Sequence, residues 1–553
     1  MSDITKAQRS LAIKAKHNKQ HRFDHLYRLI CREEWIRLAL TTVLSKKGSR
    51  TAGIDGVTRK ELASQTAQDA LIQQLREELR DQRFRPKPVR RGYVPKANGK
   101  ERPIGIATLK DRVVQMLLKM ALEPIYESDF LNCSNGFRPG RRTMDCIALL
   151  DSYINRRNKY YWIVEGDIRA AFDRINHEIL LALISERIVD RRILQLLERF
   201  LKAGVMEGGL FVRTELGTPQ GSVVSPLLAN VYLHQLDLHW WENYGSLGKK
   251  QKEKRRQQRK GNCALLRYAD DWLLLTNGSK AEAYRLRDEF QHFLLEELKL
   301  ELSAEKTHIT HVNDGFDFLG FHIRRYTSVH DRPKLLITPS KKARQRLKRK
   351  VKAMTARRCY TDSPLLKVRA LNAVLRGWIN YYRHVNAKKT AKDLDWWVNQ
   401  RFGKWLVSRH RIPVRKMLAK YKHREGSRYN LGVPTPNDIE FLFRMSDVPI
   451  RKYRSRKPPN PYIVGTVSEM TRPETPIAEH VWMGNAANQE WRELREEVLA
   501  RYGGQCAECR NTGHLDVHHI QSRRQGGGDE IENLIPLCRT CHAKTPSFGD
   551  RPS

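Results

Sequence analysis

The segment Cys263–Thr276 reads CALLRYADDWLLLT, and the two adjacent acids inside that apolar run restrict what can be built around them. Leu265, Leu266, Leu273, Leu274 and Leu275 favour burial. Asp270 and Asp271 do not, because desolvation and mutual repulsion both oppose a buried pair of carboxylates without a counter-charge. A β-hairpin resolves the conflict: each apolar half becomes a strand, and Tyr268-Ala269-Asp270-Asp271 forms the tight turn. Alone, this is equally an ordinary acidic turn. A second run, YYWIVEGDIRAAFDRIN at 160–176, sharpens the reading. Its β-prone stretch Tyr160–Val164 leads to Asp167, and helical sequence follows. A carboxylate at a strand end, near a hairpin with two more, suits two divalent cations. Two Mg²⁺ ions about 4 Å apart activate a 3′-hydroxyl and stabilise a leaving pyrophosphate, and Mg²⁺ takes few carboxylates beside substrate phosphates.

These residues resemble the palm of polymerases, most closely that of reverse transcriptases. Further matches follow in family order: Arg102-Pro103-Ile104-Gly105-Ile106 after Lys96, Asn135-Gly136-Phe137-Arg138-Pro139-Gly140, and Gly217-Thr218-Pro219-Gln220-Gly221-Ser222 before Ser225-Pro226-Leu227-Leu228. Leu302-Ser303-Ala304-Glu305-Lys306-Thr307 and Phe318-Leu319-Gly320-Phe321 close the series, which covers about residues 50–325. The resemblance implies that Asp167, Asp270 and Asp271 are the catalytic carboxylates of a two-Mg²⁺ site. It places Gln220 at the incoming dNTP and Lys96 and Arg102 on the triphosphate. It makes Phe172 a steric gate against the ribose 2′-OH, although a phenylalanine there is also a plain core residue.

The chain carries 102 Lys+Arg against 61 Asp+Glu over 553 residues, a formal charge of +41. Such an excess calls for a large polyanion as partner. A membrane surface is the rival anion, but there is no lipidation motif and no apolar run long enough to span a bilayer. The basic N-terminus, with no apolar stretch behind it, is not a secretory signal. Charge is uneven: residues 461–553 hold ten basic and thirteen acidic side chains, which leaves +44 for residues 1–460. Residues 249–260, KKQKEKRRQQRK, read as a surface loop that is either merely solvated or in touch with phosphates. Lys341–Arg358 holds ten basic residues and no acid, with Leu347, Val351 and Met354 at helical spacing, so a helix with one packed and one basic face is expected. A one-sided amphipathic helix is expected at 110–127, and linkers at Pro434–Pro436 and Pro458–Pro461.

After the palm, Arg376-Gly377-Trp378-Ile379-Asn380-Tyr381-Tyr382 resembles the thumb, or maturase X domain, of group II intron-encoded proteins. On a helix its aromatics share one side. The resemblance implies a multidomain α+β chain: an N-terminal helical extension (1–50), reverse transcriptase fingers and palm (51–330), the α-helical thumb (331–430), a small DNA-binding region (431–490) and a terminal module (491–553). Lys341, Lys342, Arg344, Lys348 and Arg376, with Arg383, are the expected RNA contacts, since structured RNA is held largely through phosphates and shape.

The terminal module contains Cys506-x-x-Cys509 and Cys538-x-x-Cys541. Two such pairs indicate a structural Zn²⁺ whose four thiolates leave no open position. Between the pairs, Asp516-Val517-His518-His519-Ile520 and Asn533 resemble a zinc-stapled ββα HNH endonuclease, with His542 its later histidine. By that match His519 is the general base, His518 and His542 hold one divalent ion, and Asn533 fixes the loop. Pro546 stands where many relatives have a further histidine, so a zinc knuckle that only binds DNA is the alternative. The implied whole is an enzyme that binds its group II intron RNA, assists splicing, nicks target DNA and reverse-transcribes from the new end. It would work in a bacterial cytoplasm or nucleoid, or in an organelle of bacterial origin. Its partners would be intron RNA, target DNA and dNTPs, with no membrane. A reverse transcriptase of another lineage and a silent splicing factor are the rivals.

Overall fold

The structure is a computed structural model and describes residues 2–95, 101–155, 159–207, 210–212, 216–218, 221–327, 333–436, 438–453, 458–464, 494–513, 515–520 and 531–542. The chain forms two units, residues 1–465 and 466–553. The first begins with helices α1 (Asp3–His17), α2 (Tyr27–Ile30), α3 (Glu33–Ser45) and α4 (Gln65–Arg80), followed by the long α5 (Leu109–Asp129). Ser2, Ser64 and Thr108 cap α1, α4 and α5 by accepting from a backbone N–H one turn in. Helix α5 is not the one-sided amphipath that its sequence suggests. It is buried on nearly every side, polar Arg112, Gln115, Glu123 and Glu127 included. The reason is that α1 and α3 cover the face that would otherwise meet water. Arg112 is satisfied there by the carbonyls of Ala107, Gly48 and Thr51.

Strands β1 (Val89–Pro95) and β2 (Glu101–Ile106) pair antiparallel before α5. After α6 (Thr143–Asn155) comes β3 (Trp162–Asp167). Helices α7 (His177–Ser185) and α8 (Arg191–Leu201) follow. Short β4 (Val205–Glu207) and β5 (Leu210–Val212) then complete the order β2-β1-β4-β5. Helix α9 (Ser225–Trp240) leads to α10 (Lys249–Gln257), so the 249–260 segment is not a loop. Lysine, arginine and glutamine are good helix formers, and Gln251 caps the start through the Gly248 amide at 2.8 Å.

The central sheet joins β6 (Cys263–Tyr268), β7 (Asp271–Thr276) and β8 (His308–His311), with α11 (Lys280–Leu298) between the last two. Its order is β6-β7-β3-β8, all antiparallel. Strict alternation gives it two buried faces. Val164, Leu265, Trp272 and Leu274 join one core with the N-terminal helices, α5 and α9. Ile163, Leu266, Leu273 and Leu275 join a second core with α6 and with residues from Val312 to Val448. That second body contains β9 (Phe316–Phe318), β10 (Phe321–Thr327) and β11 (Pro333–Pro339), then helices α12 (Lys341–Met354), α13 (Pro364–Tyr382), α14 (Lys388–His410) and α15 (Val414–Tyr421). A further sheet of β12 (Lys422–Glu425), β13 (Arg428–Pro434) and β14 (Ile439–Phe441) packs on it.

Neither expected linker is one. Pro434 pairs with Ile439 across the β13–β14 turn. Pro461 begins the short α16 (Pro461–Val464), docked where the Tyr462 hydroxyl donates to Glu123 Oε2 at 2.6 Å. In the second unit β15 (Leu515–His519) pairs antiparallel with β16 (Leu534–Cys538), and a short helix Arg539–His542 follows. No helix among the described residues is long and apolar enough to cross a membrane.

Beneath the β6–β7 turn lies Arg267, fully buried. Its Nε and Nη2 donate to Asp237 at 2.8 and 2.6 Å, and its Nη1 donates to Asn230 Oδ1 and the Ala269 carbonyl. Burial alone would raise the Asp237 pKa, but the Arg267 charge and hydrogen bonds outweigh it and hold the carboxyl below its ordinary range. Breaking such a pair leaves an uncompensated buried charge, which costs roughly 3–5 kcal/mol. Arg267→Met is therefore expected to lower the unfolding free energy by that order, read as a fall in the denaturant midpoint at unchanged slope. Adding Asp237→Leu is expected to recover most of the loss, because no charge is then stranded.

Candidate active site and metal centre

Strands β3 and β7 are in register so that Asp167 lies opposite Asp271, at the end of the sheet where Tyr268 and Asp271 close the hairpin. Directly opposed residues have Cβ atoms about 5 Å apart. Asp270 sits between them in chain order, in a turn made possible by Ala269 at φ +60°. The turn is pressed from behind by the Cys133–Gly136 segment, which pairs with Arg267. A Cβ on Gly136 would lie 2.2 Å from the Ala269 nitrogen, so only glycine allows that approach.

The carboxylates repel each other. Crowding by the surrounding protein, then the charges of Asp270 and Asp167, push Asp271 up to about 6, against the pull of Lys306 and Arg102. Lys306 Nζ lies 2.8 Å from Asp167 Oδ2. A cation thus already occupies one side of the cluster, which is the response expected of a site that attracts positive charge. The arrangement suits divalent ions: acids at the open edge of a rigid sheet, with basic side chains around them.

Arg102 is exposed on β2, and its charge reaches Asp271. Phe172 is 8 % exposed, and its ring meets Phe137 edge-on at 6.0 Å. The Thr218 amide donates to the Phe172 carbonyl at 2.8 Å, which ties the Gly217-Thr218 segment to it. Gly221, at φ +116°, comes so near the Gly105 carbonyl that a Cβ would lie 2.8 Å from that oxygen. Lys96 and Gln220 lie outside the described residues. Sequence reasoning passed over Lys306, Arg267 and Asp237 as individuals. Lys306 was within a matched motif, and its position there was the available signal.

Helix α12 has the expected two faces. Ala343, Leu347 and Val351 are buried, while Lys341, Lys342 and Arg344 are exposed. Lys348 is half-buried over the Trp397 ring at 5.3 Å, and exposed Arg376 lies over Phe443 at 4.9 Å. Arg383 corrects its expectation as an RNA contact: it is buried, because the Arg451 amide and the chain around it cover the end of α13. On α13 the Tyr381 and Tyr382 hydroxyls donate to the carbonyls of Leu319 and Gly320, at 2.9 and 3.2 Å.

In the second unit the ligand atoms of Cys506, Cys509, Cys538 and Cys541 lie within 4.8 Å of one another, the single such cluster of metal-ligating side chains among the described residues. The Cys538 amide donates to Cys506 Sγ at 3.2 Å, as backbone groups do toward thiolates. Burial opposes ionisation of Cys506, but backbone amides outweigh it and bring the thiol down to about 6. The donor set fits a tetrahedral soft cation such as zinc. His518 lies on β15 opposite Ile535, and Asn533 accepts from the Ile520 amide through its backbone carbonyl at 2.8 Å. His519 and His542 belong to β15 and the last helix, but their side chains fall outside the described residues.

Family models match three stretches of the chain: reverse transcriptase (RNA-dependent DNA polymerase) over residues 94–323, the group II intron maturase-specific domain over 344–424, and HNH endonuclease over 506–547. Protein YkfC of Escherichia coli K12 is 39% identical over 359 residues, 62% of this chain and 94% of its own length. Group II intron-encoded protein LtrA of Lactococcus lactis subsp. cremoris is 30% identical over 476 residues, 73% of this chain and 78% of its own. An uncharacterized 91 kDa protein in the cob intron of Schizosaccharomyces pombe is 29% identical over 548 residues, 86% of this chain and 64% of its own.

The raised pKa of Asp271 sets a pH dependence. Its folded value of about 6 exceeds that of an unfolded aspartate, ~3.9. Between pH 7 and 4 the folded, metal-free protein takes up a proton that the unfolded chain does not, so that contribution to stability grows on acidification and is lost as pH rises through 6. Carboxyl-carbon NMR is expected to show two aspartates titrating near pH 6, Asp111, which burial also raises, and Asp271, and only the second should be lost in Asp271→Asn. An added divalent cation should move the Asp271 midpoint down.

Proposed function

The chain belongs to the group II intron-encoded proteins with reverse transcriptase, maturase and HNH endonuclease domains, and from that membership we propose how its residues divide the work. As such it is an RNA-directed DNA polymerase, a maturase that assists splicing of its intron RNA, and a DNA endonuclease acting in intron mobility. In the proposed assignment Asp167, Asp270 and Asp271 are the polymerase carboxylates. The observation that carries it is the Asp167–Asp271 register at the open edge of the sheet, with the Asp271 pKa raised first by burial and then by the charges of Asp270 and Asp167. Two Mg²⁺ ions held there would supply activation of the primer 3′-hydroxyl and stabilisation of the pyrophosphate. The protein's own share is positional. Arg267 fixes the turn from below, and Lys306 neutralises Asp167 until a metal does. Arg102 and Lys96 would hold the triphosphate, Gln220 would meet the incoming dNTP, and Phe172 would exclude a 2′-OH.

The proposed domains are those of the sequence: extension 1–50, fingers and palm 51–330, thumb 331–430, DNA-binding region 431–490 and nuclease 491–553. Lys341, Lys342, Arg344, Lys348 and Arg376 would meet the intron RNA. In the nuclease the four cysteines would bind a structural Zn²⁺. His519 would take the proton from the attacking water, His518 and His542 would ligate one divalent ion, and Asn533 would fix the loop. The relatives come from bacteria and from a fungus whose gene lies in a cob intron. Action in a bacterial cytoplasm or nucleoid, or in an organelle of bacterial origin, fits that spread.

Two variants separate the activities. Asp270→Asn is expected to abolish primed cDNA synthesis on an RNA template while intron splicing with purified protein proceeds as in the wild type; equal loss of both would reject the division of roles. His519→Ala is expected to stop nicking of the DNA target strand and leave extension of a supplied primer intact. Persistent nicking would remove His519 from the base role.

A further inference from the structure

Helix α10 has no place in the roles above, yet it is the most densely basic α-helix among the described residues. Residues 249–260 carry eight basic side chains and one acidic. None of the helix is buried. Lys250 and Lys254, and Lys252 and Arg256, are like charges one turn apart, which destabilises a helix. Nine residues are also too few for a helix to persist alone. The fold nevertheless pins this one. Arg255 donates to the Gly261 carbonyl at 2.9 Å, lies over the Tyr244 ring at 5.2 Å and faces Glu282 at 3.7 Å. Asn262 donates to the Lys252 carbonyl at 3.1 Å, and Arg259 ends the helix at φ +57°. The pinned side is that of Lys252 and Arg255. Lys249, Lys250, Lys254 and Arg256 stay exposed, and among the described residues the ion pair they make is that of Arg256 with Glu253 at 2.8 Å.

Its place in the fold separates it from the polymerase carboxylates. Helix α10 runs into Cys263, the start of β6, whereas the acids lie beyond Tyr268 at the other end of that strand. Five strand steps put about 17 Å between those ends. The charge of Arg256 acts on Tyr160, just before β3, at this same far end. Lys280, 5.9 Å above the Trp162 ring, and Arg325, 4.4 Å above Tyr161, enlarge the basic surface there.

We propose that α10 and the end of the catalytic sheet beside it form a second phosphate-docking surface, which holds folded RNA away from the template path. The helix offers no apolar face to insert into a lipid surface. Its lysines are point charges suited to neutralising phosphates rather than reading bases. The +44 of residues 1–460 needs a polyanion larger than a short duplex in the cleft. That this RNA is the protein's own intron rests on the functional reading above.

The test uses the full chain with Lys249→Gln, Lys250→Gln, Lys254→Gln and Arg256→Gln combined, since glutamine keeps the helix propensity. Its thermal unfolding should match the wild type. The probe is intron RNA transcribed from the DNA that flanks the coding frame, bound over a series of KCl concentrations. Affinity should fall at least about tenfold near physiological salt, and the log–log salt slope should flatten by about 3 for four lost contacts. Extension of a short primer on an RNA template should stay within about twofold. Unchanged RNA affinity and slope would overturn the proposal, as would primer extension falling in parallel. A loss confined to duplex DNA or to anionic phospholipid vesicles would do the same. Lack of primer extension in the wild type would count against the polymerase assignment instead, because this proposal is scored on RNA affinity.

Discussion

The buried ion pair between Arg267 and Asp237 is the interaction on which the acidic edge of the central sheet depends. A turn that exposes two acids has little to hold it in place, since its side chains face outward and repel. Its backbone must be fixed from within. Arg267 does this with one guanidinium: two donors lock to Asp237, and another reaches the Ala269 carbonyl at the crest of the turn. The same nitrogen meets Asn230, whose amide in turn donates to the Gly136 carbonyl at 2.8 Å. Helix α9, strand β6, the turn and the segment behind it thereby share one polar network inside an apolar core. Such a network is costly when incomplete and rigid when complete.

Much of the site was legible because it obeys local rules. The apolar halves of Cys263–Thr276 alternate between two buried faces, and two adjacent acids between them leave little choice but a turn. The cysteine spacing likewise carries its geometry in the sequence, and the four ligand atoms do converge. What escaped depends on distant partners. Lys306 is an ordinary surface lysine until the fold brings it 2.8 Å from Asp167, 139 positions away. Arg267 looks like one more cation in a basic chain until Asp237 meets it. Arg383 was expected at RNA for its charge and is buried by later chain. The 249–260 stretch looked like a loop for its charge alone, although its residue types favour a helix. Helix α5 looked one-sided because the helices that cover its polar face come from the first fifty residues.

The central sheet is also a partition. One face belongs to the core of N-terminal helices with α5 and α9, the other to the core that extends through α12–α15 and the last sheet of the first unit. The acids stand at the edge where the two bodies meet. A change in packing on either side reaches them through only one strand layer. The charge follows a different division: the first 460 residues carry +44, while the tail is slightly acidic. The basic excess and the stretch matched by the HNH endonuclease model are thus separate parts of the chain.

The grip of Tyr381 and Tyr382 on the Leu319-Gly320 turn has a mechanical side. Leu319 and Gly320 both adopt positive φ, at 50° and 84°, and in isolation such a pair would be a natural pivot. Two phenol hydroxyls hold its consecutive carbonyls, and the Phe321 ring stacks on Tyr381 at 5.3 Å and meets Tyr382 at 5.1 Å. Any swivel there must break both hydrogen bonds and part the rings. Helix α13 is therefore geared to the β9–β10 hairpin, and any motion of the helix past that hairpin must be accommodated by bending elsewhere. A turn whose backbone would make a natural pivot is a weld.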